Sequence, residues 1–235
     1  MELFVDRRGL FKDAFMTTKT LLESFMPYSS VLCSIPFIEE AEEEGSDKEG
    51  QDALKLLGNW SNNSFIENTA NILGINNLFV IDAESICIPA APMSCLCKYG
   101  AKVIEKNGGE IELQNPVETH MFEMEIGERY VEGYLLQEGY GDGFYIETHD
   151  LPHLYYATSQ SSRGYIILGK REEDGSLLLN AFKIPHGITF FIEPFTYHSD
   201  AFLIGNYNVV YGKTRNYSTY LVRTMKNQIV HVSVK

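Results

Sequence analysis

Four of the chain's six histidines, His149, His153, His186 and His198, fall between Gly143 and Asp200. Imidazole is the side chain readiest to move a proton or ligate a metal at neutral pH. Two segments carry these residues, GFYIETHDLPH (143–153) and IPHGITFFIEPFTYHSD (184–200). Read as a strand, the first segment points Tyr145, Glu147 and His149 to one face, because strand side chains alternate. Pro152 breaks that strand, so His153 returns to the same site after a turn. Glu147, His149, His153 and His198 together offer one carboxylate and three imidazoles, a donor set suited to zinc, manganese, iron or nickel. The same groups are candidate acid–base catalysts, with His149, His153 or Glu147 as base and His198 as acid. Tyr145, Lys183 and Tyr197 are candidate substrate-binding residues, Lys183 as partner for a carboxylate. The blander alternative makes His149 and His153 ordinary polar residues near a barrel rim.

Other residues carry weaker signals. His120 and Glu123 face opposite sides of one strand-like run. His186 sits between Pro185 and Gly187, which places it in a loop. Tyr155, Tyr156, Phe190, Phe191 and Phe195 either wall a pocket or fill a core. The sequence contains no Gly-rich phosphate loop, nucleophile elbow or kinase signature.

The elements that must position the histidines are short and β-rich. From Asn77 onward, apolar runs recur between Gly, Asn, Pro and Asp. They include Leu78–Ile81, Ser85–Ile88, Ala101–Ile104, Glu110–Leu113, His120–Ile126, Tyr130–Gln137, Phe144–Thr148, Leu154–Thr158, Gly164–Lys170 and Leu177–Ile184. Further runs are Thr189–Ile192, Ala201–Ile204, Tyr207–Val210, Thr219–Val222 and Gln228–Val234. Asn107-Gly108-Gly109, Gly141-Asp142-Gly143 and Asp174-Gly175 read as turns. Many short strands at regular spacing predict a sandwich or barrel over residues 76–235. Residues 1–75 read instead as a partly helical N-terminal extension with an acidic loop at 39–52. Asp13–Phe25 carries a loose helical stripe that stops at Pro27. A short helix is expected at Asp52–Leu57. Ser64–Leu73 has the strongest helix signal, with Ser64 as cap, Glu67 three residues on and Gly74 as left-handed stop.

Composition bounds the function. The chain has 235 residues with ordinary hydrophobic content, enough for a core that needs no metal or disulfide staple. Of the net charge of −13, the run Glu39–Asp52 supplies −7 through eight acids and one lysine. That balance argues against nucleic acid or an anionic membrane as partner, since both need clustered Lys and Arg. The N-terminus has no signal-peptide pattern and no stretch reaches a membrane span, which points to a cytoplasmic chain with free thiols. Cys87, Cys95 and Cys97 lack the paired spacing of a structural zinc site.

The closing run Pro194-Phe195-Thr196-Tyr197-His198 resembles the Pro-Gly-Thr-Trp-His run that ends the second motif of the cupin superfamily. Gly143 followed six residues later by His149 resembles the opening of the first motif. Within cupins the likeness is to the ureidoglycolate lyase-like group, through Asn180-Ala181-Phe182, Gly187, Tyr197-His198 and Ala201–Ile204. It covers residues 143–212. The chain departs from the metal-cupin pattern in its His149-x-x-x-His153 spacing, in the lack of a Glu in the stretch that follows, and in Phe195 where the family has Gly. The resemblance implies a cupin-like β-barrel or jelly roll, mainly β, with a pocket in its mouth. It implies a lyase or isomerase acting on a small polar acid or sugar derivative by His/Glu acid–base chemistry, with a divalent metal, where one is bound, polarising the substrate oxygen. It also implies pairing through edge strands into a homodimer. The alternative is a non-catalytic cupin-like binding or interaction module.

Overall fold

The computed structural model describes residues 16–22, 53–62, 71, 73–105, 119–212 and 214–235, with strand 16–22 described by its backbone alone. The acidic run 39–52, the turn 107–109, the strand expected at 110–113 and nearly all of the helix expected at 64–73 lie outside these residues. Among those described, fifteen strands form in chain order. The first eight are β1 (Met16–Leu22), β2 (Leu54–Leu56), β3 (Gly58–Ser61), β4 (Asn77–Ile81), β5 (Ser85–Ile88), β6 (Ala101–Glu105), β7 (Thr119–Ile126) and β8 (Tyr145–His149). There follow β9 (His153–Ala157), β10 (Arg163–Arg171), β11 (Leu177–Phe182), β12 (Ile188–Ile192), β13 (Tyr197–Gly212), β14 (Tyr217–Thr224) and β15 (His231–Val234). Thirteen of them join one sheet, strongly curled into a half-barrel, while β5 and β15 pair in parallel as a second small sheet. The mainly β expectation holds.

β13 is the spine of the large sheet. Its first half pairs with β10, from Gly169↔Tyr197 to Arg163↔Ile204, and meets β8 at His198↔Glu147. Its second half pairs with β7 and β9. The two runs expected at Ala201–Ile204 and Tyr207–Val210 are therefore one strand of sixteen residues. Gly205 lies between them at φ 100°, and a Cβ there would come within 2.9 Å of Ser162 Cα. A glycine is required at that position, but it redirects the strand rather than ending it.

Alternation along the strands divides the interior into two cores. Tyr145, Ile166, Leu168, Phe182, Leu203 and Leu221 face one, with Tyr155 and Phe190. Their sequence neighbours Phe144, Ile146, Ile167, Ala181 and Val222 face the other, with Phe79 and Leu179. Each fully buried Leu, Ile or Phe contributes roughly 1.5–3 kcal/mol by leaving water, so both faces hold the sheet together.

Three local expectations are corrected. Residues 16–22 form a strand paired with β7 rather than part of a helix, in keeping with the β-branched Thr17, Thr18 and Thr20. Leu54–Leu56 is likewise a strand, paired with β11, where a helix was expected. A stretch of three residues carries no usable periodicity, and an available sheet edge decides its form. Tyr130–Gln137 was expected as a strand but winds into a short π-helical turn, Val131–Leu135, closed by a 2.9 Å bond from Leu136 N–H to the Val131 carbonyl. Burial of Tyr130, Tyr134 and Leu135 in the first core overrides their β preference.

The turn expected at Asp174-Gly175 joins β10 to β11, with Gly175 at φ 81°. Gly74 adopts φ 78°, while the helix it was expected to stop lies almost wholly outside the described residues. Cys87, Cys95 and Cys97 are free thiols, the latter two on a 3-10 helix at Met93–Tyr99. Among the described residues, no helix is long and apolar enough to cross a membrane.

Candidate metal centre

The site is assembled where β8, β9 and β13 converge. β8 lies between β13 and β14, so both its edges are paired. Its alternation sends Phe144 and Ile146 to the second core and Tyr145 to the first, leaving Glu147 and His149 on the same side as Tyr145. Pro152 separates β8 from β9, and β9 begins with His153, opposite Ile192 on β12 and Tyr211 on β13. The end of β8 is braced by the Phe195 N–H, which donates to the His149 carbonyl at 2.7 Å. His198 stands directly across from Glu147.

One ligand atom from each of Glu147, His149, His153 and His198 lies within 4.8 Å of all the others. His198 Nε2 is 3.2 Å from Glu147 Oε1 and 3.3 Å from His153 Nδ1. The His149 and His153 ring centres are 4.1 Å apart. On its far side, His198 Nδ1 donates to the Thr196 carbonyl at 2.9 Å. A carbonyl only accepts, so Nδ1 carries the hydrogen and the Nε2 lone pair of the neutral ring faces the cluster. This is the backbone support that ligating histidines commonly have. Asn71 donates to Glu147 Oε2 and is itself held by a 2.8 Å bond from the Leu73 N–H to its side-chain oxygen.

The four groups titrate apart. Burial pushes the Glu147 carboxyl up, but the hydrogen bond and charge of His198, the charge of His149 and the Asn71 bond outweigh it and leave it below its ordinary value. Burial likewise opposes charge on His198, yet Glu147 and the Thr196 carbonyl reverse the balance and raise it. Burial, with the charge of His198, brings His149 down to about 4. Burial and the two neighbouring imidazoles hold His153 well below the usual histidine range. His149 and His153 are thus kept neutral, the form that ligates metal. Both ring nitrogens of His149 are buried without a hydrogen-bond partner. The Leu151 backbone approaches the ring closely enough to favour its charged form slightly, but not in hydrogen-bond geometry. An unpartnered buried nitrogen costs about 1–3 kcal/mol, and a cation at this point would engage it. The donor set and this orphaned ring therefore fit a metal ion.

Beside the cluster lies an open cleft with about 520 Å³ of space, solvent at its mouth included. Its polar lining includes Asn71, Glu147, His153, Tyr145, Tyr155 and Asp200. Leu73, Phe122, Met124 and Val209 supply the apolar side. Buried His149 and His198 are not part of the cleft wall.

Of the residues expected at the site, Tyr145, Glu147, His149, His153 and His198 come together. Tyr197 and Lys183 do not line the cleft. Tyr197 faces the second core and packs against Trp60, with ring centres 5.5 Å apart. It follows from strand alternation that neighbours Tyr197 and His198 point opposite ways. Lys183 is exposed, with its ammonium 5.6 Å from the Tyr165 ring centre. Asp200 and Asn71 were not expected. Asp200 lies two residues beyond His198 on the same strand face, so alternation contained its signal. Asn71 reaches Glu147 from a distant segment, and no local pattern announces that contact.

No protein-family model matches the chain, and no curated protein matches it. What stands is a curled β half-barrel with a His/Glu group placed to bind a metal ion, an arrangement compatible with a cupin.

Proposed function

We propose that the chain is a metal-dependent enzyme on a cupin-like half-barrel, performing proton-transfer chemistry of the lyase or isomerase kind on a small polar molecule. The observation that carries this reading is the convergence of Glu147, His149, His153 and His198 within 4.8 Å beside an open cleft. These four residues would hold the ion, and a divalent cation polarises a substrate oxygen and acidifies the hydrogens beside it. Zinc, manganese, iron and nickel all suit three imidazoles and one carboxylate. Asn71 and the Thr196 carbonyl keep Glu147 and His198 oriented.

The acid–base assignment has its own support. Burial holds His149 and His153 below the usual histidine range, while Glu147 and the Thr196 carbonyl raise His198, so a proton in the cluster resides preferentially on His198 and the other two imidazoles are the acceptors. Environments that push neighbouring titrations apart are how one site obtains both an acid and a base. This separation favours a second reading, acid–base catalysis by the same cluster without a metal. Between the two substrate classes expected, the cleft wall favours a sugar-like hydroxylated molecule over an acid, because among the described residues it includes no Lys or Arg.

Metal content decides between the readings. Purified protein is stripped with chelator, incubated with zinc, manganese, iron(II) or nickel in turn, desalted and analysed by mass spectrometry. One ion per chain is expected, falling to background in His198→Ala and His153→Ala. Folded wild-type chain that retains none of the four ions would contradict the metal-dependent reading.

A further inference from the structure

The turn at residues 193–196 holds two of the clustered histidines at once. The Phe195 N–H donates to the His149 carbonyl at 2.7 Å, and the Thr196 carbonyl accepts from His198 Nδ1 at 2.9 Å. One four-residue turn therefore grips the backbone of one imidazole residue and the ring of another. The Thr196 N–H closes it on the Glu193 carbonyl at 3.3 Å. Phe195 sits within it at φ 63°, a left-handed conformation unfavourable to a residue with a Cβ. Its side chain is exposed, so packing does not impose that conformation. Backbone strain of this kind persists where the surrounding structure over-determines it.

The turn is anchored at Gly100. The Gly100 carbonyl accepts from the Glu193 N–H at 2.8 Å and from the Thr196 hydroxyl at 3.1 Å, which engages both lone pairs of that oxygen. Gly100 closes the 3-10 helix Met93–Tyr99, and Leu96 and Tyr99 of that helix are buried in the first core. The approach is close enough that a Cβ at Gly100 would lie 2.6 Å from Thr196 Oγ1.

We infer that Thr196 is a positioning residue: its buried hydroxyl, docked on the Gly100 carbonyl, fixes the turn and with it the placement of His149 relative to His198. Without the hydroxyl the turn keeps one of its two bonds to Gly100 and can pivot about the Glu193 N–H. The two histidines then lose their common support, while neither core loses an apolar group. Groups that orient ligands from outside the coordination shell are typically worth about 10–100-fold in metal affinity. The inference rests on the metal reading for that last effect alone.

Thr196→Val, which keeps the shape and removes the hydroxyl, is compared with Thr196→Ser, which keeps the hydroxyl. In metal-free full chain, exchange of the His198 Nδ1 hydrogen is followed by NMR. In zinc- and cobalt(II)-loaded chain, affinity and the visible cobalt spectrum are recorded. The hydrogen is expected to be protected in wild type and Thr196→Ser and to exchange at least tenfold faster in Thr196→Val. Thr196→Val should also bind zinc at least tenfold more weakly and show a shifted cobalt spectrum, with Thr196→Ser like wild type in both. A role in stability alone would leave the cobalt spectrum of folded Thr196→Val unchanged, and that result would overturn the inference. So would wild-type exchange and wild-type zinc affinity in Thr196→Val. A freely exchanging His198 Nδ1 hydrogen in the wild-type chain would overturn it without any variant, should Thr196→Val fail to fold. Protection lost in Thr196→Val, in a wild-type chain that takes up no metal, would sink the metal reading and leave this inference standing.

Discussion

The two faces of the large sheet are built from the same strands and do different work. Ile146 and Glu147 are consecutive, as are Tyr197 and His198, yet each pair splits between the faces. On one side Phe79, Ile146, Ile167, Leu179 and Val222 pack with Trp60 and Tyr220 into an apolar core. On the other, a second apolar core borders the cleft, and the buried carboxylate and buried imidazoles among the described residues all gather there. Burying charge without partners is costly, and a buried ionic cluster is weak evidence for stability. The difference teaches that the apolar face fixes the curvature and register that the cleft face needs, since Glu147 meets His198 only if β8 and β13 keep their alignment.

Truncating the apolar face breaks the comparison hardest. Phe79→Ala is expected to destabilise the chain by about 3–5 kcal/mol in urea unfolding. Its folded fraction should still take up metal at the wild-type ratio, and loss of metal from folded Phe79→Ala would show that the two faces are not separable. Next comes the cleft face itself. Glu147→Gln removes the anionic ligand and is expected to weaken metal affinity about 100-fold, equivalent to about 2.7 kcal/mol, as read by competition with a chromophoric chelator.

Acid sharpens the contrast further. In metal-free protein, His149 and His153 titrate below the ordinary histidine value, His149 at about 4. Between pH 6.5 and 4 the unfolded chain therefore binds protons that the folded chain refuses, and stability falls as pH falls. The slope is up to about 1.4 kcal/mol per pH unit for each group. Glu147, with its lowered value, adds a loss as pH drops through its own titration below about 4.5. The raised value of His198 acts oppositely, its contribution being present in full below 6.5 and lost as pH rises through the folded titration. Urea midpoints at pH 7.5, 6, 5 and 4 check the acid slope, which should flatten in the His149→Gln, His153→Gln double variant. The smallest effect belongs to Lys183→Ala. As an exposed residue away from the cleft it should change stability by less than about 0.5 kcal/mol and leave metal uptake unaltered.

The same alternation explains what the sequence disclosed and what it withheld. Tyr145, Glu147 and His149 share a face because they are two residues apart, and Pro152 marks the break that returns His153 to them. Both facts are local and legible. The rule that joined those three also turns Tyr197 away from His198 and joins Asp200 to it, so both placements were legible in the sequence. Contacts made across the fold were not legible. Asn71 bonds Glu147 from 76 positions away, and nothing in its surroundings anticipates a buried carboxylate. The strands at 16–22 and 54–56 were missed because they are set by partners on β7 and β11 rather than by their own pattern. Tyr130–Gln137 has strand-like composition, but burying its two tyrosines favours a helical turn.

The central claim is that Glu147, His149, His153 and His198 form one metal site. Calorimetric titration of zinc into the chelator-stripped chain tests it most directly, run in buffers of different ionisation enthalpy so that proton release is also counted. The account predicts one ion per chain, with any proton held by the raised His198 released as it ligates, and loss of the binding heat in His198→Ala. Wild type and His198→Ala binding zinc with the same stoichiometry and affinity would contradict it.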